Sequence, residues 1–82
     1  MSNQYFTKKE ARKIGDKLNI NWNEVNINEF TKGINVELEH GNKDKETNVT
    51  NNDPILTGKI ALAHLKELPD YYSKLEKIEE NA

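Results

Sequence analysis

The chain contains two histidines, and each stands three residues from a glutamate. Glu37-x-x-His40 lies within "INVELEHG" (34–41), and the reversed spacing, His64-x-x-Glu67, lies within "IALAHLKELPDYY" (60–72). On an α-helix a spacing of three brings both side chains onto one face. A carboxylate and an imidazole from each of two facing helices form a donor set for a divalent metal such as zinc, iron or manganese. The same four residues can also form a hydrogen-bonded polar seam. In that reading Glu37 accepts from His64 or from a tyrosine hydroxyl, Glu67 caps or pairs locally, and His40 sits beside the carbonyl end of its helix. A third reading makes a glutamate beside a histidine a general base. No Ser- or Cys-centred nucleophile and no Gly-rich phosphate loop accompany it, and a chain of 82 residues has little mass to enclose a substrate. No catalytic residue is therefore assigned. No cofactor is expected outside the metal reading.

All three readings need two helices that face each other. Thr7-x-x-Glu10 is a capping box that opens a first helix near 7–19, with Phe6 placed to staple against Ala11. Ala11, Ile14, Gly15 and Leu18 share one face of it. Lys9, Arg12, Lys13 and Lys17 lie opposite, a basic face that could touch phosphates and is more simply a solvated one. Asn21-x-x-Glu24 and Asn26-x-x-Glu29 repeat the capping pattern, which predicts a short turn at 22–25 around Trp22 and a second helix over 27–40 closed by Gly41. Its apolar stripe is Ile27, Phe30, Ile34 and Leu38. The alternation of Ile34, Val36 and Leu38 with polar residues would also suit a strand, but a helix accounts for the whole stretch.

Residues 42–52 read as an exposed polar loop. Asp53-Pro54 supplies an N-cap and a first-turn proline for a third helix over 54–68, and Pro69 ends it and opens a fourth over 70–79. The third helix is apolar around most of its circumference, which predicts a central position, with Leu56, Ile60 and Ala63 as its inner stripe and Lys59 and Lys66 outside. His64 and Glu67 flank that stripe within about 40°. Glu37 lies about 20° from Phe30, so these groups sit where charge is costly unless partnered. Tyr71, Leu75 and Ile78 form the inner face of the last helix. Tyr72 lies at its edge, where it and Asp70 are candidates for contact with a partner.

The expected fold is all-α: a single domain over 1–82, a small bundle of about four helices, the third central, the last two a helical hairpin, with 1–5 and 80–82 frayed. There is no cysteine, so disulfides and thiolate metal sites are excluded. No apolar run reaches the ~18 residues of a membrane helix, and the N-terminus lacks a signal-peptide layout, which places the chain in the cytoplasm. A net charge of −2 argues against nucleic acid as the main partner.

The stretches "FTKKEARKIGDKLNI", "GINVELEHG" and "DPILTGKIALAHLKELPDYY", with Leu75 beyond them, resemble a family of small bacterial and phage proteins catalogued as a domain of unknown function. The resemblance covers nearly the whole chain. It marks Glu37, Glu39, His40, Gly41, His64, Glu67, Pro69, Asp70, Tyr71 and Tyr72 as motif residues. It implies a compact helical domain carried by phages, conjugative elements and chromosomes, and it implies no activity. The residues and the resemblance together predict a non-catalytic accessory or protein-interaction domain, with a metal-binding domain as the alternative.

Overall fold

The computed structural model describes residues 6–43 and 53–80, the side chains of 40–43 and 79–80 apart. Among them are four α-helices, α1 (Lys8–Lys17), α2 (Ile27–Lys43), α3 (Pro54–Glu67) and α4 (Tyr71–Glu80), and no strand. The expected loop at 42–52 gives up residues 42 and 43 to α2. The rest of that loop, like residues 1–5, 81 and 82, lies outside the described residues.

α1 starts at the predicted capping box. Thr7 Oγ1 accepts from the Glu10 amide at 3.1 Å, and Glu10 Oε1 accepts from the Thr7 amide at 3.0 Å. The Thr7 amide, and then its hydroxyl, favour the ionised carboxylate and hold the Glu10 pKa below its usual value. α1 stops because Asn19 turns left-handed, at φ 59°. The Asn19 and Ile20 amides then reach back to the carbonyls of Asp16 and Gly15, at 3.1 and 3.0 Å. Asparagine tolerates that backbone state better than residues with bulkier or branched side chains do. The following turn lays the Trp22 ring on Gly15, where a Cβ would collide with it. The indole Nε1 donates to Asp16 at 2.8 Å, and its ring meets Phe30 edge-on at 5.7 Å.

Asn26 caps α2, its Oδ1 accepting from the amides of Asn28 and Glu29 at 2.8 and 3.2 Å. The expected close at Gly41 does not occur, and α2 continues through it to Lys43. Glycine ends a helix by taking a positive φ, and none of the described glycines has one. In mid-helix it costs only about 1 kcal/mol relative to alanine.

The buried core is Ala11, Ile14, Phe30, Ile34, Ala61, Leu65 and Tyr72. The most extensively packed element is α2, against α3, α1 and α4, rather than the expected α3. Its buried arc runs from Thr31 through Leu38, Ile34 and Phe30 to Gly33, so polar residues and a glycine spell part of it. Asn35 extends that contact. Its Oδ1 accepts from the Phe6 amide at 2.8 Å, and its Nδ2 donates to the carbonyls of Phe6 and Thr31, both at 3.0 Å. Asn35→Ala therefore frees the chain ahead of α1 and is expected to cost about 1–3 kcal/mol in urea denaturation.

The inner face of α3 is also not the expected one. Thr57, Gly58, Ala61 and Leu65 are buried, while Leu56 and Ala63 are exposed and Ile60 is half-buried. Thr57 can be buried because its hydroxyl donates to the Asp53 carbonyl at 2.7 Å. Gly58 lets the helix come close: a Cβ there would stand 3.0 Å from both Ile14 Cγ2 and Leu18 Cδ1. Asp53 caps α3 as expected, accepting from the amides of Ile55 and Leu56 at 2.8 and 3.1 Å. α4 follows after Leu68, Pro69 and Asp70. It turns back as a hairpin would, but takes α2 as its main seat. It touches α3 at His64.

Candidate functional site

Tyr72, in the first turn of α4, is the centre of the place where, among the described residues, Glu37 and His64 meet. Tyr72 is 2% exposed, and its ring lies against α2 at Gly33, where any Cβ would overlap it. The hydroxyl donates to Glu37 Oε2 at 2.8 Å, and His64 Nδ1 stands 3.0 Å from the Tyr72 hydroxyl oxygen. A phenol has a single proton. Because that proton goes to Glu37, the His64 contact requires Nδ1 to carry a hydrogen and donate. Nδ1 is also 3.2 Å from Glu37 Oε2, so one N–H is shared between the phenol and the carboxylate. The imidazole is held from its other side by Tyr71, stacked at 4.7 Å and 7°. The Tyr71 and Tyr72 rings meet edge to face at 4.9 Å.

A second tie fixes the same helix end. Glu29, on α2, accepts the Ser73 amide at 3.2 Å on one oxygen and the Ser73 hydroxyl on the other. A carboxylate from another helix thus satisfies a donor that the start of α4 would otherwise leave open. The exposed Lys32–Glu76 pair at 3.5 Å adds little.

Burial, then the hydrogen bond to Glu37, then the Glu37 charge push the Tyr72 pKa well above the ordinary tyrosine value. The native state therefore keeps its proton where the unfolded chain releases it. Stability from this group is whole below about pH 10, the unfolded value, and falls as pH rises beyond it. In an alkaline spectrophotometric titration, Tyr72 is expected to ionise only as the chain unfolds, and Tyr72→Phe is expected to flatten that loss of stability.

Of the four residues expected to hold a metal, Glu37 and His64 come together. Glu67 is exposed, on the side of α3 that turned outward. The His40 side chain lies outside the described residues. Among the described residues no three His, Asp or Glu side chains gather as a ligand group. The two contact candidates fare differently. Asp70 is exposed, beside Lys74 at 3.7 Å, whereas Tyr72 is buried and Tyr71 is the half-exposed ring. The expectation had these two tyrosines the other way round, because helix periodicity counted from Tyr71 misses the cavity that Gly33 opens for its neighbour. Two positions of the junction are not legible in the sequence. Glu29 looks like the second half of a capping box with Asn26, and nothing nearby in sequence points to Ser73. Gly33 is legible only as a gap in the apolar stripe of α2.

The model of a family described as "Protein of unknown function (DUF5661)" matches residues 11–81. The chain belongs to that family. The DUF5661 match takes in Gly33, Glu37, His64 and Tyr72, as well as Glu29 and Ser73, so all of the α2–α3–α4 junction lies within it. The capping box at Thr7 precedes it. Neither the curated proteins nor the solved structures give a match. Among the described residues no helix is long and apolar enough to cross a membrane.

Proposed function

We propose that the chain is a small non-catalytic accessory domain that acts in the cytoplasm by contacting another protein. The observation that carries this reading is the row Leu56, Ile60 and Ala63 on the outward side of α3. Leu56 is 44% exposed, Ala63 is exposed and Ile60 half-buried, at the 4- and 3-residue spacing by which one helix reads another. Single exposed leucines are ordinary on protein surfaces, but a row in register is the form a contact surface takes. The junction supports the non-catalytic half. The Tyr72 hydroxyl, the Glu37 carboxylate and His64 Nδ1 are bonded to one another and seat α4, so the cluster is engaged in structure. The resemblance to small bacterial and phage proteins supports a phage or other mobile element as the carrier.

Cross-linking in the cells that encode the chain tests the reading. The expected result is a discrete adduct with another protein, lost in Leu56→Glu while the melting temperature stays at the wild-type value. Adducts with nucleic acid alone, through the exposed Lys9, Arg12, Lys13 and Lys17, would contradict it. So would one divalent metal per purified chain, lost in His64→Ala or His40→Ala together with a chelator-sensitive melting point.

A further inference from the structure

We infer that the outward row of α3 takes an amphipathic helix of a different protein, with Asp or Glu flanking its apolar residues. This rests on the protein-contact reading above and names the partner's chemistry. At about 100° per residue, Ala63, Leu56 and Ile60 fall within roughly 60° of arc. Lys59 and Lys66, about two turns apart, share the flank just beyond Ala63, and His64 closes the opposite edge. Both lysines are exposed and have no ion pair among the described residues. The residues read as a short heptad seam: Leu56, Ile60 and Ala63 at the contact positions and the two lysines at the flanking positions that choose partners.

Charge decides the occupant. Two copies packed antiparallel through this seam would set Lys59 of one against Lys66 of the other. Like charges at flanking positions oppose self-pairing. A helix with acidic flanks turns the same two lysines into attraction. It also gains from the small Ala63, which lets its backbone come close at that end of the contact.

The test uses the full chain and a pair of designed helical peptides. Both carry leucine at 3- and 4-residue spacing, one flanked by glutamate and the other by lysine. The glutamate peptide is expected to bind roughly tenfold more tightly than the lysine peptide at low salt, the scale of two rim ion pairs. Lys59→Glu with Lys66→Glu is expected to reverse that preference, and Leu56→Glu to abolish binding of both. All three positions are exposed, and circular dichroism verifies that the variants stay folded. Equal binding of the two peptides, no binding of either, or a concentration-dependent dimer that Leu56→Glu dissolves would overturn the inference. A photo-cross-linker at position 56 and another at Arg12, used in the cells that encode the chain, separate the two levels. A protein captured at Arg12 and not at 56 sinks this inference and leaves the protein-contact reading standing, whereas no protein at either position sinks both.

Discussion

Tyr72→Ala is expected to cost about 3–5 kcal/mol, the range for removing a large, fully buried aromatic side chain. The total stability of a chain of this size is about 4–12 kcal/mol, so the variant is expected to lie at the edge of folding. The loss has three parts. The ring leaves a void on Gly33, the phenol no longer ties Glu37 and His64, and α4 is left with the Glu29–Ser73 cap, the exposed Lys32–Glu76 pair and the half-buried Tyr71 and Leu75. Urea denaturation measures the total. Tyr72→Phe separates the parts, because it keeps the ring and removes only the hydroxyl, at an expected cost of about 1–2 kcal/mol.

Gly33→Leu is expected to be nearly as damaging, for a steric reason. The first carbon of any side chain at this position already overlaps the Tyr72 ring. That ring cannot swing aside without breaking its bonds to Glu37 and His64. α4 must therefore lift from α2, and overpacking of about 1–3 kcal/mol is compounded by the lost burial of Tyr72. The two substitutions are strongly non-additive by this account. In Tyr72→Ala the space above position 33 is vacant, so adding Gly33→Leu is expected to restore stability rather than remove more. A double variant whose loss equals the sum of the singles would show that the ring and the glycine do not share that space.

The local signals along the chain were legible because they are short-range. Thr7 with Glu10, Asn26 with Asn28 and Glu29, and Asp53 with Pro54 each set a helix start by contacts within a few residues, and all stand where the sequence places them. The pairing of Glu37 with His64 was legible as well, since buried ionisable groups need partners and few were to hand. What could not be read is which way each helix faces. Hydropathy makes α3 look central because its letters are apolar, yet Leu56 and Ala63 look outward. It makes α2 look half-solvated because Thr31, Asn35, Glu29 and Glu37 are polar. Each of those four has its hydrogen bonds met inside the fold, by the backbone of Ile27, by Phe6, by Ser73 and by Tyr72. A polar residue with its partner in place can sit in a core position. For Asn35, Glu37 and Glu29 that partner is 29 to 44 residues away, beyond the reach of any periodicity.

The same inversion separates structure from function here. The residues that look reactive seat α4, and the residues that look like core are left for contact. Most of this rests on one claim, that the Tyr72 hydroxyl and the Glu37 carboxylate hold α4 to α2 as a pair. A double-mutant cycle of Tyr72→Phe and Glu37→Ala, read by urea denaturation at pH 7, measures that pairing directly. A coupling energy of about 1–2 kcal/mol is expected, and losses that simply add would contradict the pairing.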